Sequence, residues 1–422
     1  MRKHISLPLD IPDVEIVKTV TNAQGAYIIT VKSTQRGAQC RRCGRELSQL
    51  HGYADAIQLR HLPVFGQVVY IRIRPKRYRC PYCQGHPTTT QRLSWYSPRS
   101  GCTHAYEDHI LLQLVNSTVQ DVSHKEALSY ERIAGILARK VQTHVAWDTL
   151  DSLEVVGIDE IARRKGHRDF LALVTAHLRE GRTVILAVLP DRKKATVKAF
   201  LDSIPPRLRQ TIQTVCTDMW PGYVNAVYES FDPDPACQVE VVVDRFHVTK
   251  EFRAGADRLR KQELKRLKRE LAPAEYQELK GTMWPFRKAP AALQPDEQQR
   301  LAQLFAHAPQ LQQAYTLREQ LAAIFAADIT PETAILRLTA WCSQVIASQL
   351  TCFDAFLTTL TNWFTEITNY FQQRYSSGFV EGFNNKVKVL KRRCYGLLNV
   401  AHIFQRLFLD TEGYRRFAPK HH

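Results

Sequence analysis

The spacing of apolar positions changes period along the chain, and each change marks a change of element. Residues 1–36 read as an extended lead-in, with AYIITVKS as a strand. In VVYIRIRPKRYRC, Val69, Ile71 and Ile73 alternate with Tyr70, Arg72 and Arg74, which predicts a strand with one apolar and one basic face. From residue 96 the period is helical. Ile110, Leu111, Leu114 and Val115 share one face, and SYERIAGILARK follows Ser129, a good N-cap. Thr143 is expected to cap a third helix, HVAWDTLDSL, which would be the reader of a helix-turn-helix, although it is poor in Arg and Lys. Residues 151–250 run strand, strand, strand, helix, strand, helix, strand. Residues 251–375 are helical by pattern, and residues 376–422 follow a Ser-Ser-Gly break as one long basic helix.

These changes of period divide the chain into five segments: an extended N-terminal part, whose paired cysteines make it the expected zinc-ribbon domain (1–95), a helical part that reads as a helix-turn-helix domain (96–150), a strand-rich part (151–250), a second helical part (251–375) and a C-terminal helix (376–422). The expected fold class is multidomain, mixing α+β and α/β; the strand succession of 151–250 is that of an RNase H-like core, which the helices of 251–375 would interrupt before 376–422 completes it.

Charge narrows the function. The formal net charge is +17, and the cations cluster at 72–79, 163–168, 258–269 and 386–393. Such a basic chain calls for a polyanionic partner. No signal peptide is visible and no apolar run approaches the roughly 18 residues of a membrane span. The expectation is a cytoplasmic protein with no membrane association.

In a reducing compartment, paired cysteines point to metal. Cys40-Arg-Arg-Cys43-Gly44 and Cys80-Pro-Tyr-Cys83-Gln-Gly85 are two CxxC knuckles, each followed closely by a glycine that permits a left-handed turn. Four thiolates complete one tetrahedral structural Zn²⁺ site, with a β-hairpin expected in the gap between knuckles. His51 or His86 in place of one cysteine is the weaker alternative. Arg72, Arg74, Lys76, Arg77 and Arg79 crowd the strand leading to the second knuckle and can follow phosphates.

A second constellation consists of carboxylates. LEVVGID reads as a buried strand ending in Asp159, and TIQTVCTD as another ending in Asp218. A hairpin and a helix separate them, the order in which an RNase H-like sheet sets its first and fourth strands side by side. Carboxylates forced together repel unless a proton or metal is shared, and hard oxygen ligands suit Mg²⁺ or Mn²⁺. SSGFVEGFNNKVKVLKRRCYG offers a third, Glu381, near a helix N-terminus. Lys388 lies two turns further on, and Lys386, Lys391, Arg392 and Arg393 add phosphate-binding charge.

The motifs GIDE at Asp159, TDMWPGY at Asp218, VVDRFHV at Asp244 and VEGFNNKVKVLKRRCYG at Glu381 follow the two knuckles and the helix-turn-helix. In this order they resemble the ISL-three family of insertion-sequence transposases, of the DDE superfamily. The resemblance implies a catalytic triad of Asp159, Asp218 and Glu381 holding two Mg²⁺ ions. It implies duplex DNA partners, the element's terminal repeats and its target, bound by a homodimer or larger oligomer on the bacterial nucleoid. Asp244, with His247, is expected near the site, and Trp220 either stacks on an unpaired base or packs in the core. Two other readings stay open: a zinc-ribbon DNA-binding regulator with an inert core, and another RNase H-like nuclease.

Overall fold

Strand alternation is the first of these expectations met in the computed structural model, which describes residues 8–163, 169–243, 245–375 and 378–419. The chain divides into two units, Met1–Gln142 with Gln405–His422, and Thr143–Phe404. The first unit begins with β1 (Val14–Thr21), β2 (Tyr27–Ser33), β3 (Ala38–Gln39), β4 (Glu46–Leu47), β5 (Leu50–Tyr53), β6 (Ile57–Val64), β7 (Gln67–Ile73), β8 (Lys76–Arg79) and β9 (Thr88–Thr90). They pair as a four-stranded sheet β1-β2-β7-β6, a ribbon β3-β4 and a three-stranded sheet β5-β8-β9. Ile71 and Ile73 of β7 are buried with Val31, Leu59, Leu93 and Trp95. Arg72 points to the other face, level with Thr30 and Gln58.

The cation run 72–79 does not share one strand. Arg72 lies on β7, whereas Lys76, Arg77 and Arg79 lie on β8 of a different sheet. Pro75 stands between them; lacking an N–H, it cannot continue a ladder. The gap between the knuckles does hold a hairpin, β6–β7, but that hairpin joins β1 and β2 instead of the knuckle sheet.

Three helices follow: α1 (His104–Leu114), α2 (Val119–Glu126) and α3 (Tyr130–Lys140). The Ser129 hydroxyl accepts from the Arg132 N–H, and Thr118 with Asp121 forms a capping box on α2. Ile110, Leu111, Leu114, Val122, Ile133 and Ile136 form their common core. The predicted third helix at HVAWDTLDSL is absent; one 3₁₀ turn, Trp147–Thr149, stands there. Trp147 and Leu150 are drawn into the core of the second unit, and the segment serves as the lead-in to its first strand. The helix-turn-helix is therefore α2–α3, with Arg132, Arg139 and Lys140 on the second helix.

The second unit opens with β10 (Glu154–Ala162), β11 (Phe170–His177) and β12 (Thr183–Leu189), then α4 (Lys194–Asp202), α5 (Pro206–Arg209), β13 (Ile212–Thr217), α6 (Pro221–Phe231) and β14 (Glu240–Val243). The sheet order is β12-β11-β10-β13-β14, with β10, β13 and β14 parallel and the β10–β11–β12 meander antiparallel. β10 runs three residues beyond Asp159 instead of ending there, because Asp159–Ala162 still pair with β11. The helical segment follows as α7 (Arg245–Glu270) and then α8 to α15 (Pro273–Glu278 through Tyr370–Gln373). Its centre is aromatic: Phe252 stacks on Phe353 at 4.2 Å and meets Phe356 edge-on.

The C-terminal region forms two helices, α16 (Gly378–Arg393) and α17 (Val400–Phe417), not one. Tyr395 and Gly396 both take positive φ, and the Gly396 N–H donates back to the Lys391 carbonyl at 2.8 Å, which terminates α16. The 164–168 part of the basic cluster lies outside the described residues, as does Asp244.

Candidate functional site

The two knuckles meet as the spacing predicts. Cys40 Sγ lies 3.9 Å from Cys83 Sγ, and Cys43 Sγ lies 3.8 Å from Cys80 Sγ. All four sulfurs fall within 4.8 Å of one another. A tetrahedron with Zn–S bonds of ~2.3 Å has edges of about 3.8 Å, so the cage fits zinc. Gly44 and Gly85 take φ of 71° and 77°, the left-handed turns that bring each knuckle backbone around its sulfurs. Backbone N–H groups of Cys43 and Arg42 pull the Cys40 thiol down, while the Cys43 thiol and burial push Cys83 up, so without metal one sulfur of the cage takes the charge and Cys83 keeps its proton. His86 turns its Nδ1 to the Cys80 carbonyl. No other group of three or more metal-ligating side chains closes together among the described residues.

In the second unit, register brings the two aspartates together. Ile158 of β10 pairs with Thr217, the last residue of the parallel strand β13, and Asp159 and Asp218 come next in the chain after each. On the far side of β13, Thr217 pairs with Val243, the residue before Asp244. The Asp159 carboxylate accepts the Glu160 N–H at 2.5 Å and an amide N–H of Asn384 from α16. Asn384 is one turn past Glu381 on that helix. The side chains of Glu381 and His247 lie outside the described part of the structure.

Three residues that the sequence reading missed surround this pair. The Tyr223 hydroxyl is fully buried without a hydrogen-bond partner; burial, then the charges of Glu160, Asp159 and Asp218, push its pKa up. Asn384 Oδ1 is likewise buried and unpartnered. Glu160 pairs with Arg192 at 2.7 Å, and the Arg192 guanidinium lies 4.5 Å from the centre of the Trp220 ring and 4.4 Å from that of Phe170. Trp220 is 40% exposed, so it is not a core residue. Gly222 makes room for it: a Cβ there would come within 2.6 Å of the indole nitrogen. Asn384 was within reach of sequence reasoning, since a polar residue three after Glu381 shares its helix face. Tyr223 and Arg192 carried no comparable signal. Hard carboxylate oxygens beside two orphaned polar atoms suit a divalent cation with its water.

The cations are distributed unevenly. Lys386, Lys388 and Arg392 are exposed on α16 and Arg393 is half-buried, while Phe383, Val387 and Leu390 are buried. Lys391 donates to the carbonyls of Ala162 and Arg163 at 2.6 and 2.8 Å, at the end of β10. Arg72 and Arg74 are exposed, and Arg77 donates to the Thr88 hydroxyl at 2.6 Å. No helix among the described residues is long and apolar enough to cross a membrane.

Known families match these parts in the same order. Residues 36–83 match the zinc-finger of transposase IS204/IS1001/IS1096/IS1165, and residues 91–140 match the helix-turn-helix domain of transposase family ISL3. Residues 156–407, more than half of the chain, match the ISL3 DDE transposase family. A chain with a zinc ribbon, a DNA-binding helix-turn-helix and this core is a transposase. It belongs to the ISL3 family, and its function is DNA transposition. Among curated proteins it is similar to the transposase for insertion sequence element IS1001 of Bordetella parapertussis, 26% identical over 389 residues, 92% of each chain. It is also similar to the transposase for insertion sequence element IS1557 of Mycobacterium tuberculosis, 25% identical over 404 residues, 91% of this chain and 88% of that one.

Proposed function

We propose that this transposase binds the terminal repeats of its element and cuts and joins DNA at a site built from Asp159, Asp218 and Glu381. The observation that carries this reading is the register of β10 and β13, which sets the two aspartates abreast on parallel strands. The sheet order supports an RNase H-like core, with the helices of 251–375 as an insertion before the third carboxylate. On this reading the chain divides its labour over 1–95, 96–150, 151–250, 251–375 and 376–422, and works on DNA in the cytoplasm as a dimer or larger assembly.

Helix α16 supports Glu381 as the third ligand. From Asn384 at Asp159 to Lys391 at Ala162, the helix advances about 10 Å and the strand about the same. The two therefore run alongside in one direction, and Glu381, one turn back, falls level with the strand positions around Asp159. Bound here, two Mg²⁺ or Mn²⁺ ions would lower the pKa of an attacking water or hydroxyl and stabilise the leaving oxygen. The protein's own groups do the rest. Asn384 orients the Asp159 carboxylate, Arg192 neutralises Glu160 beside it, and Lys386, Lys388, Arg392 and Arg393 hold phosphates. Lys391 is committed to the end of β10 and acts on the DNA only by placing α16. Asp244 and His247 stand near the site, and Trp220 offers a face to an unpaired base. Arg72, Arg74 and Arg77 hold DNA outside the core.

Water attacks the phosphodiester at the element end and releases a 3′-hydroxyl, which then attacks a target phosphodiester in line, the new P–O bond forming as the target strand's own 3′-oxygen leaves. The test is to incubate the protein with its terminal DNA and Mg²⁺ and map the nicks. Nicks at the element boundary support the reading; an intact substrate that is nevertheless bound overturns it.

A further inference from the structure

Arg72 and Arg74, which hold DNA outside the core on the proposed reading, line a strongly charged concavity of the first unit. It has a volume of about 750 Å³ and lies against the outward face of the sheet formed by β2 and β7, closed on one side by Tyr53 of β5 and Lys76 of β8. Strand alternation builds it. With Val31, Ile71 and Ile73 turned to the core, Lys32 and Arg72 must turn outward, Arg72 level with Thr30. Tyr53 and Lys76 are direct partners across β5 and β8 and so project together. Five cations line the cavity, Lys32, Arg36, Arg72, Arg74 and Lys76, against the single carboxylate of Glu15, which pairs with Lys32 at 3.0 Å.

One detail separates this place from an ordinary solvated face. Arg36 and Arg72 are exposed and have no partner among the described residues, so two guanidinium groups in one concavity are left for an anion.

We propose that this groove is a docking site for the phosphate backbone of duplex DNA, in which Arg36 and Arg72 contact phosphate oxygens without reading sequence. The inference rests on the reading that the chain holds DNA outside its core, and adds a surface distinct from both the knuckles and α2–α3. Arg77 and Arg79 do not line it.

The experiment measures affinity of the full-length protein for two duplexes, one carrying the terminal repeat and one scrambled, across a range of salt. Each lost phosphate contact lowers the slope of log affinity against log salt by about 0.9. Arg36→Gln/Arg72→Gln should therefore flatten the slope by about 2 on both duplexes alike. A charge-matched pair on the helical segment, Lys280→Gln/Arg337→Gln, should leave it unchanged. Zinc content is the check that each variant is folded. An unchanged slope in Arg36→Gln/Arg72→Gln, while the unaltered protein binds with normal salt dependence, overturns the groove and with it Arg72's part in holding DNA, and leaves the cutting and joining at the carboxylates standing. A loss confined to the terminal-repeat duplex also overturns it, since backbone contacts carry no sequence information. Failure of the unaltered protein to bind either duplex overturns both.

Discussion

The cysteine cage and the carboxylate site are both candidate metal centres, yet they are built in opposite ways. The cage joins two short loops, and its sulfurs already stand at zinc spacing. The carboxylate site draws on two strands and a helix, with Asp159 touching a residue 225 positions away. Around the cage, backbone N–H groups satisfy the anion. Around the carboxylates, a tyrosine hydroxyl and an amide oxygen are left buried without partners. The first is a site that stabilises the fold; on the proposed reading, the second is one whose groups are kept unsatisfied for chemistry.

The largest expected effect tests that contrast at the carboxylates. Asp159→Asn, Asp218→Asn and Glu381→Gln should each reduce strand cleavage and joining by on the order of 10³-fold, with terminal-repeat binding nearly intact. Their melting temperatures should stay level or rise, because each relieves repulsion between neighbouring carboxylates. Gel assays of nicking and joining, beside a thermal melt, read both. Asp244→Asn should show only a partial defect; if it is inactive while Asp218→Asn cuts, the wrong strand end has been assigned.

Removing zinc should act in the reverse direction. Purified protein should contain about one zinc per chain. Chelation or Cys40→Ser should unfold the ribbon and weaken end binding, while limited proteolysis still yields an intact second unit. A zinc-free protein with an unchanged melt and four reactive thiols would remove the distinction between the two centres.

A buried charge in the helical part of the first unit provides a middle case. Glu107 is fully buried; burial raises its pKa, but hydrogen bonds from Ser100 and Arg139, with the charges of Lys140 and Arg139, outweigh it and leave the carboxyl below its usual value of 4.5. A carboxyl lowered on folding stabilises fully above that value, and the stabilisation is lost as pH falls through the lower folded value. Acid melts should show this loss, and Glu107→Gln should abolish that part of the pH dependence at a cost of about 2 kcal/mol. An unchanged acid profile in the variant counts against it.

The smallest effects separate two lysines three residues apart on α16. Lys391→Gln should lower stability by about 1 kcal/mol through the β10 carbonyls and leave the salt slope alone. Lys388→Gln should do the opposite, lowering the slope by about 1 with little change in stability. If Lys391→Gln flattens the slope instead, its bonds to β10 give way on DNA.

Wherever partners are close in the chain, the sequence was enough to read them. The CxxC spacing, the Ser129 cap, the period-two burial of Ile71 and Ile73 and the succession of strands and helices over residues 151–250 each depend on a few neighbouring residues and on backbone geometry. That Asp159 and Asp218 come level was also legible, because an apolar run leading into Asp is a local pattern, although β10 continues past Asp159 to Ala162. What the sequence could not determine was how each pattern is used. HVAWDTLDSL has helical spacing, but the core takes Trp147 and Leu150 and leaves one 3₁₀ turn. Pro75 sends a continuous run of cations onto two sheets, and a positive-φ pair at Tyr395 and Gly396 divides one basic helix into two. Only packing reveals that Lys391 belongs to a strand end, that Asn384 holds Asp159, and that Lys32 and Arg36 join Arg72 in one groove. Local rules act through hydrogen bonds and rotamers within a few residues, whereas these outcomes depend on which distant surface competes for the same side chain.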